Sequence, residues 1–150
     1  MLPSIQGITN TQFDGGEVDV TFLEEYFKRN PNQKSARTVQ KINGKLTENS
    51  KLLEIPNLVL RNSGKLSMFI LERFNGRNLH LYNTFDCYTY DIVGFLREWV
   101  SGRGYLNLES LYISKSKEAF MDFDLTLIAN EFNLTPHNDH FPRFYDYESV

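Results

Sequence analysis

The stretch DIVGFLREWVSGRGYLNLESLYIS, residues 91–114, decides the fold because the spacing of its apolar residues changes halfway. The first half follows i, i+3, i+4, i+7 and i+8, the spacing of one helix face, with Ile92, Phe95, Leu96, Trp99 and Val100. The second half has the apolar residues Leu106, Leu108, Leu111 and Ile113, in the alternation of a strand. Ser101 and Gly102 stand where a helix C-cap would fall. The stretch therefore predicts a helix, a sharp turn and a strand.

The strand pattern occurs twice more upstream, at residues 57–63 (NLVLRNS) and 78–84 (NLHLYNT). From Leu58 to Leu79 is 21 residues, and from Leu79 to Leu111 is 32. We expect one apolar pair in each strand to point inward: Leu58/Leu60, Leu79/Leu81 and Leu111/Ile113. Three positions after each pair stands a hydroxyl residue that can hydrogen-bond nearby backbone at the strand end, namely Ser63, Thr84 and Ser116.

Helical patterns precede these strands. An early helix is expected to start at Thr21 with a capping box to Glu24 and to stop at Asn30, before Pro31. Residues 36–42 (ARTVQKI) are predicted to form a first strand, whose register against the others the pattern does not define, and a short helical turn fits at 48–53. A further helical stripe precedes the strand at 78–84, formed by Leu66, Phe69, Ile70 and Phe74.

Repeated helix and strand units about 20 to 30 residues long indicate an α/β fold with a parallel sheet. We predict a short solenoid of helix-strand units related to leucine-rich repeats, and ordinary βαβ units are the alternative. The predicted organisation is an N-terminal extension at 1–20, an α/β domain at 21–135 and a C-terminal tail at 136–150.

Composition narrows the function classes. No run of 18 apolar residues could span a bilayer, and residues 1–10 lack the pattern of a signal peptide, so we expect a cytoplasmic or nuclear protein. A single cysteine, Cys87, fits a reducing compartment. Net charge is −3, yet residues 28–77 hold 11 basic and 3 acidic residues. Because no nucleic-acid-binding motif accompanies this basic segment, we interpret it as a solvated face and expect neither nucleic acid nor membrane as a partner.

Three groups of residues could carry chemistry, and each has a simpler interpretation. His137 and His140 form an HxxH pair, but a metal site needs three or four ligands, so no metal or other cofactor is expected. Cys87 has no base nearby in sequence and is expected to be a packed or idle thiol. Asp122 and Asp124 would lie on one face of a strand, where they are expected to face solvent. No catalytic residue is predicted.

The outward positions of the predicted strands are the candidate binding site. Alternation places Val59, His80 and Tyr112 in one outward row and Arg61, Tyr82 and Ser114 in the next. A sheet covered on both faces would be apolar at these positions, and Arg61, His80 and Ser114 are polar. We therefore expect an open face that binds a partner through five of these residues, the alternative being a wetted sheet surface: Arg61, His80, Tyr82, Tyr112 and Ser114.

The segments FLREWVSG (95–102) and NLESLYI (107–113), together with the layout of residues 52–84, resemble the F-box-associated domain of the nematode-type F-box protein family. The resemblance covers about half of the chain and implies a target-binding half of a ubiquitin-ligase adaptor. In that family an F-box of about 45 residues precedes the domain and docks on the adaptor of a cullin-type ligase. Residues 1–50 hold no recognisable F-box, so we do not expect this chain alone to bind that adaptor.

Two function classes stay open from the sequence. The first is a non-enzymatic module that recognises an unknown protein target on the open sheet face. The second is a small hydrolase or metal-dependent enzyme, which would need a cleft with converging polar groups.

Overall fold

The fold is built on a parallel sheet, seen in a computed structural model that describes residues 7, 9–119 and 121–134. A second sheet pairs β2 (Glu17–Asp19) with β4 (Lys41–Asn43), also in parallel. The fold class is therefore α/β with a parallel sheet, as predicted. The main sheet has five strands in the order of the chain: β1 (Asn10–Phe13), β3 (Ser35–Thr38), β5 (Asn57–Leu60), β6 (Asn78–Thr84) and β7 (Ser110–Lys115).

Every helix in the described part of the chain contributes to one hydrophobic core. Alternate residues of the main sheet, among them Leu58 and Leu81, belong to the same core as buried residues from every helix. The helices therefore lie against one face of the sheet, and the face opposite them is called the open face. The helices are α1 (Val20–Arg29), a 3₁₀ turn (Lys51–Glu54), α2 (Ser67–Arg73), α3 (Thr89–Val100) and α4 (Leu125–Phe132).

The predicted inward pairs lie in register across three strands. Leu58 pairs with Leu79 and Leu79 with Leu111, and one step further Leu60, Leu81 and Ile113 align in the same way. The residues of β5 and β6 are fully buried, whereas those of β7 are half-buried because β7 is the edge strand. The offsets of 21 and 32 residues are thus confirmed as strand register.

A row of polar side chains marks the start of every strand in the main sheet. The amide of Asn78 donates to Oδ1 of Asn57 at 2.7 Å, and the hydroxyl of Ser110 donates to Oδ1 of Asn78 at 2.8 Å. Between the first two strands Ser35 donates to Asn10 at 2.7 Å. These bonds join adjacent strands only in the observed register, so they add specificity to the burial of the leucines.

The folded unit begins earlier than the sequence pattern suggested. Strand β1 pairs with β3, Asn10 lying opposite Ser35, and β2 pairs with β4. Residues 10–20, which we assigned to an N-terminal extension, are therefore part of the sheets and the first helix. The pattern failed here because β1 and β2 are three or four residues long and mostly polar. The C-terminal tail predicted at 136–150 lies outside the described residues.

Two further predictions near the N-terminus are wrong in detail. The cap of α1 is Asp19, whose carboxylate accepts from the amide of Thr21 at 2.7 Å. Glu24 does not close a capping box, because its carboxylate accepts from both the amide and the hydroxyl of Thr47. The strand predicted at 36–42 is divided between β3 and β4, which belong to different sheets.

The stretch 91–114 is confirmed as a helix followed by a strand, with one correction. Helix α3 ends at Val100, and Gly102 takes the left-handed conformation (φ 72°) after it. The strand begins only at Ser110, because the residues before it form a turn in which Leu106 is 81% exposed. Leu108 is buried, and its carbonyl accepts a hydrogen bond from Nε1 of Trp99 at 3.2 Å.

Replacing Asn78 tests the polar row. Asn78→Ala removes the donor to Asn57 and the acceptor of Ser110 at a buried position, which should lower the free energy of unfolding by about 1 to 3 kcal/mol. The matched control is Asn107→Ala, whose amide bonds to Asn75 at an exposed site and whose loss should cost under about 0.5 kcal/mol. Equal losses in urea titrations would contradict a role for the row in stability.

Replacing Trp99 tests the predicted helix stripe. The indole is half-buried, its ring centroid lies 5.6 Å from that of Phe95, and its N–H holds the turn at Leu108. Trp99→Ala should therefore cost about 3 kcal/mol, and Trp99→Phe, which keeps a ring, should cost less. Unfolding is followed by circular dichroism, since the chain has only this one tryptophan. A loss below about 1 kcal/mol for Trp99→Ala would show that the stripe is not part of the core.

Candidate binding surface on the open face

The middle row of the open face crosses all five strands. Register aligns Gln12, Arg37, Val59, His80 and Tyr112, so the predicted row of three continues over β3 to β1. Tyr112 is 46% exposed and His80 is half-buried. Val59 points to this face as predicted, but it is only 6% exposed because it stands between the longer side chains of Arg37 and His80.

Four of the predicted binding residues form one cluster, called the Arg–Tyr patch: Arg61, His80, Tyr82 and Tyr112. The guanidinium carbon of Arg61 lies 4.3 Å from the ring centroid of Tyr82. The Tyr82 and Tyr112 rings are 4.8 Å apart and tilted by 33°. The ring of His80 lies 5.8 Å from Tyr112 and 6.4 Å from Tyr82. The structure thus brings together residues from three consecutive strand segments.

Backbone hydrogen bonds hold the base of the patch in place. The amide of Arg61 donates to the carbonyl of Thr38 at 2.9 Å, and the side chain of Asn83 donates to the carbonyl of Arg61 at 2.9 Å. Asn83 itself has a left-handed backbone (φ 56°), a conformation that asparagine tolerates better than most residues. The side chain of Arg61 therefore projects from a fixed segment, and its stacking on Tyr82 limits its rotamers further.

Ser114, the fifth predicted residue, is not part of the cluster. It is half-buried on β7 beyond Tyr112, and in the described part of the chain no hydrogen bond joins it to the patch. The register of β6 and β7 is regular up to Leu81 and Ile113 and shifts before Thr84 and Lys115.

The three hydroxyl residues predicted to hydrogen-bond nearby backbone at the strand ends make different contacts. Ser63 donates to the carbonyl of Tyr82 at 2.9 Å, on the neighbouring strand. Ser116 accepts from the amide of Glu118 at 3.3 Å, as expected for a local turn. The hydroxyl of Thr84 is buried without a hydrogen-bond partner in the described residues. The common spacing of these three residues therefore has no common role.

A cleft of about 560 Å³ lies beside the patch, since its lining includes Asn62 and Asn83, the chain neighbours of Arg61 and Tyr82. It opens between β4 and the ends of β5 and β6, and Lys41, Lys65 and Asn62 are among its polar lining residues. None of the residues that line it is a histidine, a cysteine or a carboxylate. The cleft therefore lacks side chains of the kinds that most often act as general acid or base.

Among the described residues, the structure gives no chemical role to the others singled out in the sequence. Asp124 caps α4 by accepting from the amide of Leu127 at 3.0 Å, so the strand predicted around Asp122 and Asp124 is wrong. His137 and His140 lie outside the described residues. Within the described ranges no three histidine, cysteine or carboxylate side chains are grouped as metal ligands would be.

Cys87 is a fully buried thiol. Burial, reinforced by the charge of Asp91, raises its pKa from the ordinary value of 9.0 to about 12, against a smaller opposite effect of Lys115. The nucleophilic thiolate is therefore scarce near neutral pH. This agrees with the prediction of a packed thiol.

Comparison with known proteins adds no relative: no family model, no curated protein and no solved structure matches this chain. Across the described ranges no helix has the length and apolar character needed to cross a membrane.

Two residues of the open face were missed from the sequence, Gln12 and Arg37. These two positions are not predicted from the sequence, because β1 falls in the predicted N-terminal extension and the pattern does not define the register of β3. A signal was nevertheless present, since each strand of the main sheet starts with a small polar residue followed by one that points inward. These starting residues are Asn10, Ser35, Asn57, Asn78 and Ser110.

The reactivity of Cys87 tests its burial. The folded protein should react with a thiol reagent such as DTNB at about pH 8 far more slowly than the protein unfolded in guanidinium chloride. Because the folded-state pKa is the higher one, the contribution of this thiol to stability is fully present below pH 9.0 and is lost as the pH rises toward 12. Cys87→Ala should remove this part of the pH dependence. Equally fast labelling of the folded chain would show that the thiol is accessible.

Proposed function

We propose that this chain is a non-enzymatic protein-recognition module that binds its target on the open face of the sheet. The observation that carries the proposal is the Arg–Tyr patch, in which the guanidinium of Arg61 stacks on Tyr82 and the ring of Tyr82 packs against that of Tyr112. Arginine and tyrosine are among the residues most enriched at binding hot spots. A patch that is already packed loses little side-chain freedom on binding, which favours affinity.

The proposed architecture is a short solenoid of the leucine-rich-repeat kind. Its support is the consecutive order of the five strands, the helices on one side, and the lateral bonds between equivalent residues of successive units. In such an architecture the strand face opposite the helices is an extended binding surface. The Arg–Tyr patch lies on that surface.

The resemblance to the F-box-associated domain extends the proposal to a target-binding role in ubiquitin ligation, in the cytoplasm or nucleus. Two residues of the resembling segments, Trp99 and Leu108, are joined by the hydrogen bond between the indole and the carbonyl. That bond anchors the turn that leads into β7, the strand that carries Tyr112. The physical role of these residues is thus to position one side of the patch.

Truncation of the patch tests the proposal. A tagged chain is used to capture partners from native lysate, and the partner found is titrated against Arg61→Ala, Tyr82→Ala and Tyr112→Ala. Each change should weaken binding by more than about 1 kcal/mol, because hot-spot residues lose packing and desolvated contacts on truncation. The melting temperature of Tyr112→Ala should stay near that of the unsubstituted chain, since this side chain is the most exposed of the three.

The matched controls carry the same residue types away from the patch. Tyr90 on α3 is 70% exposed, and Arg103 lies beyond the end of that helix, paired with Glu98 at 3.0 Å. Tyr90→Ala and Arg103→Ala should leave binding unchanged. If the patch variants fold and bind like these controls, the target is recognised elsewhere and the proposal fails.

A further inference from the structure

Arg61 differs from most other arginines of the chain in its electrostatic surroundings. Among the described residues no carboxylate lies within ion-pair distance of Arg61, and its Nε is buried with no hydrogen-bond acceptor. Its guanidinium stacks on Tyr82 instead. Five other arginines each pair with a glutamate, namely Arg29, Arg73, Arg77, Arg97 and Arg103.

The whole main sheet has the same bias of charge. Its five strands contain no aspartate or glutamate, whereas Arg37 stands in the middle row of the open face and Arg61 follows β5 directly. The net charge of the chain is nevertheless −3, so its acidic residues are concentrated outside these strands. An anionic group of a partner that approaches the open face would therefore contact basic side chains and no carboxylate of the strands themselves.

We propose that the open face recognises an acidic segment of a partner protein, one that combines carboxylates with aromatic side chains. A carboxylate of the segment accepts hydrogen bonds from the guanidinium of Arg61, and an aromatic side chain packs beside it on Tyr82 and Tyr112. The inference rests on the proposed function and adds the chemistry of its target.

A protein segment fits these features better than a nucleic acid does. Binding to a nucleic-acid strand depends on neutralising several phosphates with basic side chains, and among the described residues the middle row and the patch supply two arginines, Arg37 and Arg61. An acidic peptide segment needs only a local match at Arg61 and the adjoining rings. Single-stranded RNA is therefore the rival that the experiment must exclude.

The test uses a random copolymer of glutamate and tyrosine as the probe, titrated against the full chain by fluorescence anisotropy. A lysine–tyrosine copolymer and poly(U) RNA are titrated in parallel. The glutamate–tyrosine copolymer should bind more tightly than both, and its affinity should fall severalfold between about 0.05 and 0.5 M NaCl as the charges are screened. This salt dependence is measured on the unsubstituted chain and does not depend on the folding of any variant.

Variants of Arg61 locate the charge. Arg61→Gln should weaken copolymer binding about tenfold, Arg61→Lys, which keeps the charge but loses the planar fork, should weaken it less, and the control Arg103→Gln should leave it unchanged. Equal binding by Arg61→Gln and Arg103→Gln, or no preference for the acidic copolymer, overturns the inference. Tighter binding of poly(U) overturns it in favour of nucleic acid.

The two proposals fail in different ways. If Tyr112→Ala weakens capture of the natural partner but Arg61→Gln and salt do not, the open face remains the binding surface. The inference that its target is acidic is then wrong. If none of the patch variants affects the natural partner, the proposed function itself is wrong.

Discussion

The in-register pairing of Leu58, Leu79 and Leu111, continued one step further by Leu60, Leu81 and Ile113, is the constraint on which the rest of the structure depends. Successive side chains of a strand point to opposite faces, so a register that buries these residues also determines which side chains stand on the open face. A slip of one residue in any strand would exchange the two faces and expose leucines to water. The same strand register therefore buries the core and assembles the Arg–Tyr patch.

Much of the fold could be predicted because its central part obeys simple periodicities. Residues 91–114 change from the period of a helix to that of a strand, and the leucine pairs of β5 and β6 repeat at fixed offsets. Four of the five predicted binding residues followed from this alternation alone, and the structure brings them within contact of one another. Local pattern thus sufficed wherever strands were apolar and regularly spaced.

The rest could not be predicted because it depends on contacts that are distant in sequence. Strand β1 is short and polar, and only its pairing with β3 makes it part of the sheet. Glu24 fits a capping box by spacing, yet it binds Thr47, which lies 23 residues away. In each case tertiary partners overrode a valid local rule.

The Arg–Tyr patch combines a fixed backbone with a stacked guanidinium and with strands that contain no acidic residue. Arg61 is tied down through its backbone and stacked through its side chain, while the strands beneath it hold no carboxylate that could satisfy its charge. Such an arrangement favours a preorganised site, because a flexible surface arginine would lose more freedom on binding. The polar row at the start of the strands helps to maintain this geometry, because its hydrogen bonds fix the positions of neighbouring strands relative to one another.

The most direct test of the central claim, that the open face is the binding surface, is site-specific photo-crosslinking. A benzophenone amino acid is placed at Tyr112 on the open face or at Tyr90 on α3, two positions with exposed tyrosine side chains. After irradiation with the partner captured from lysate, we expect a crosslinked complex from the position of Tyr112 and none from that of Tyr90. A crosslink from Tyr90 alone would contradict the account, because it would place the partner on the helices and leave the open face unoccupied.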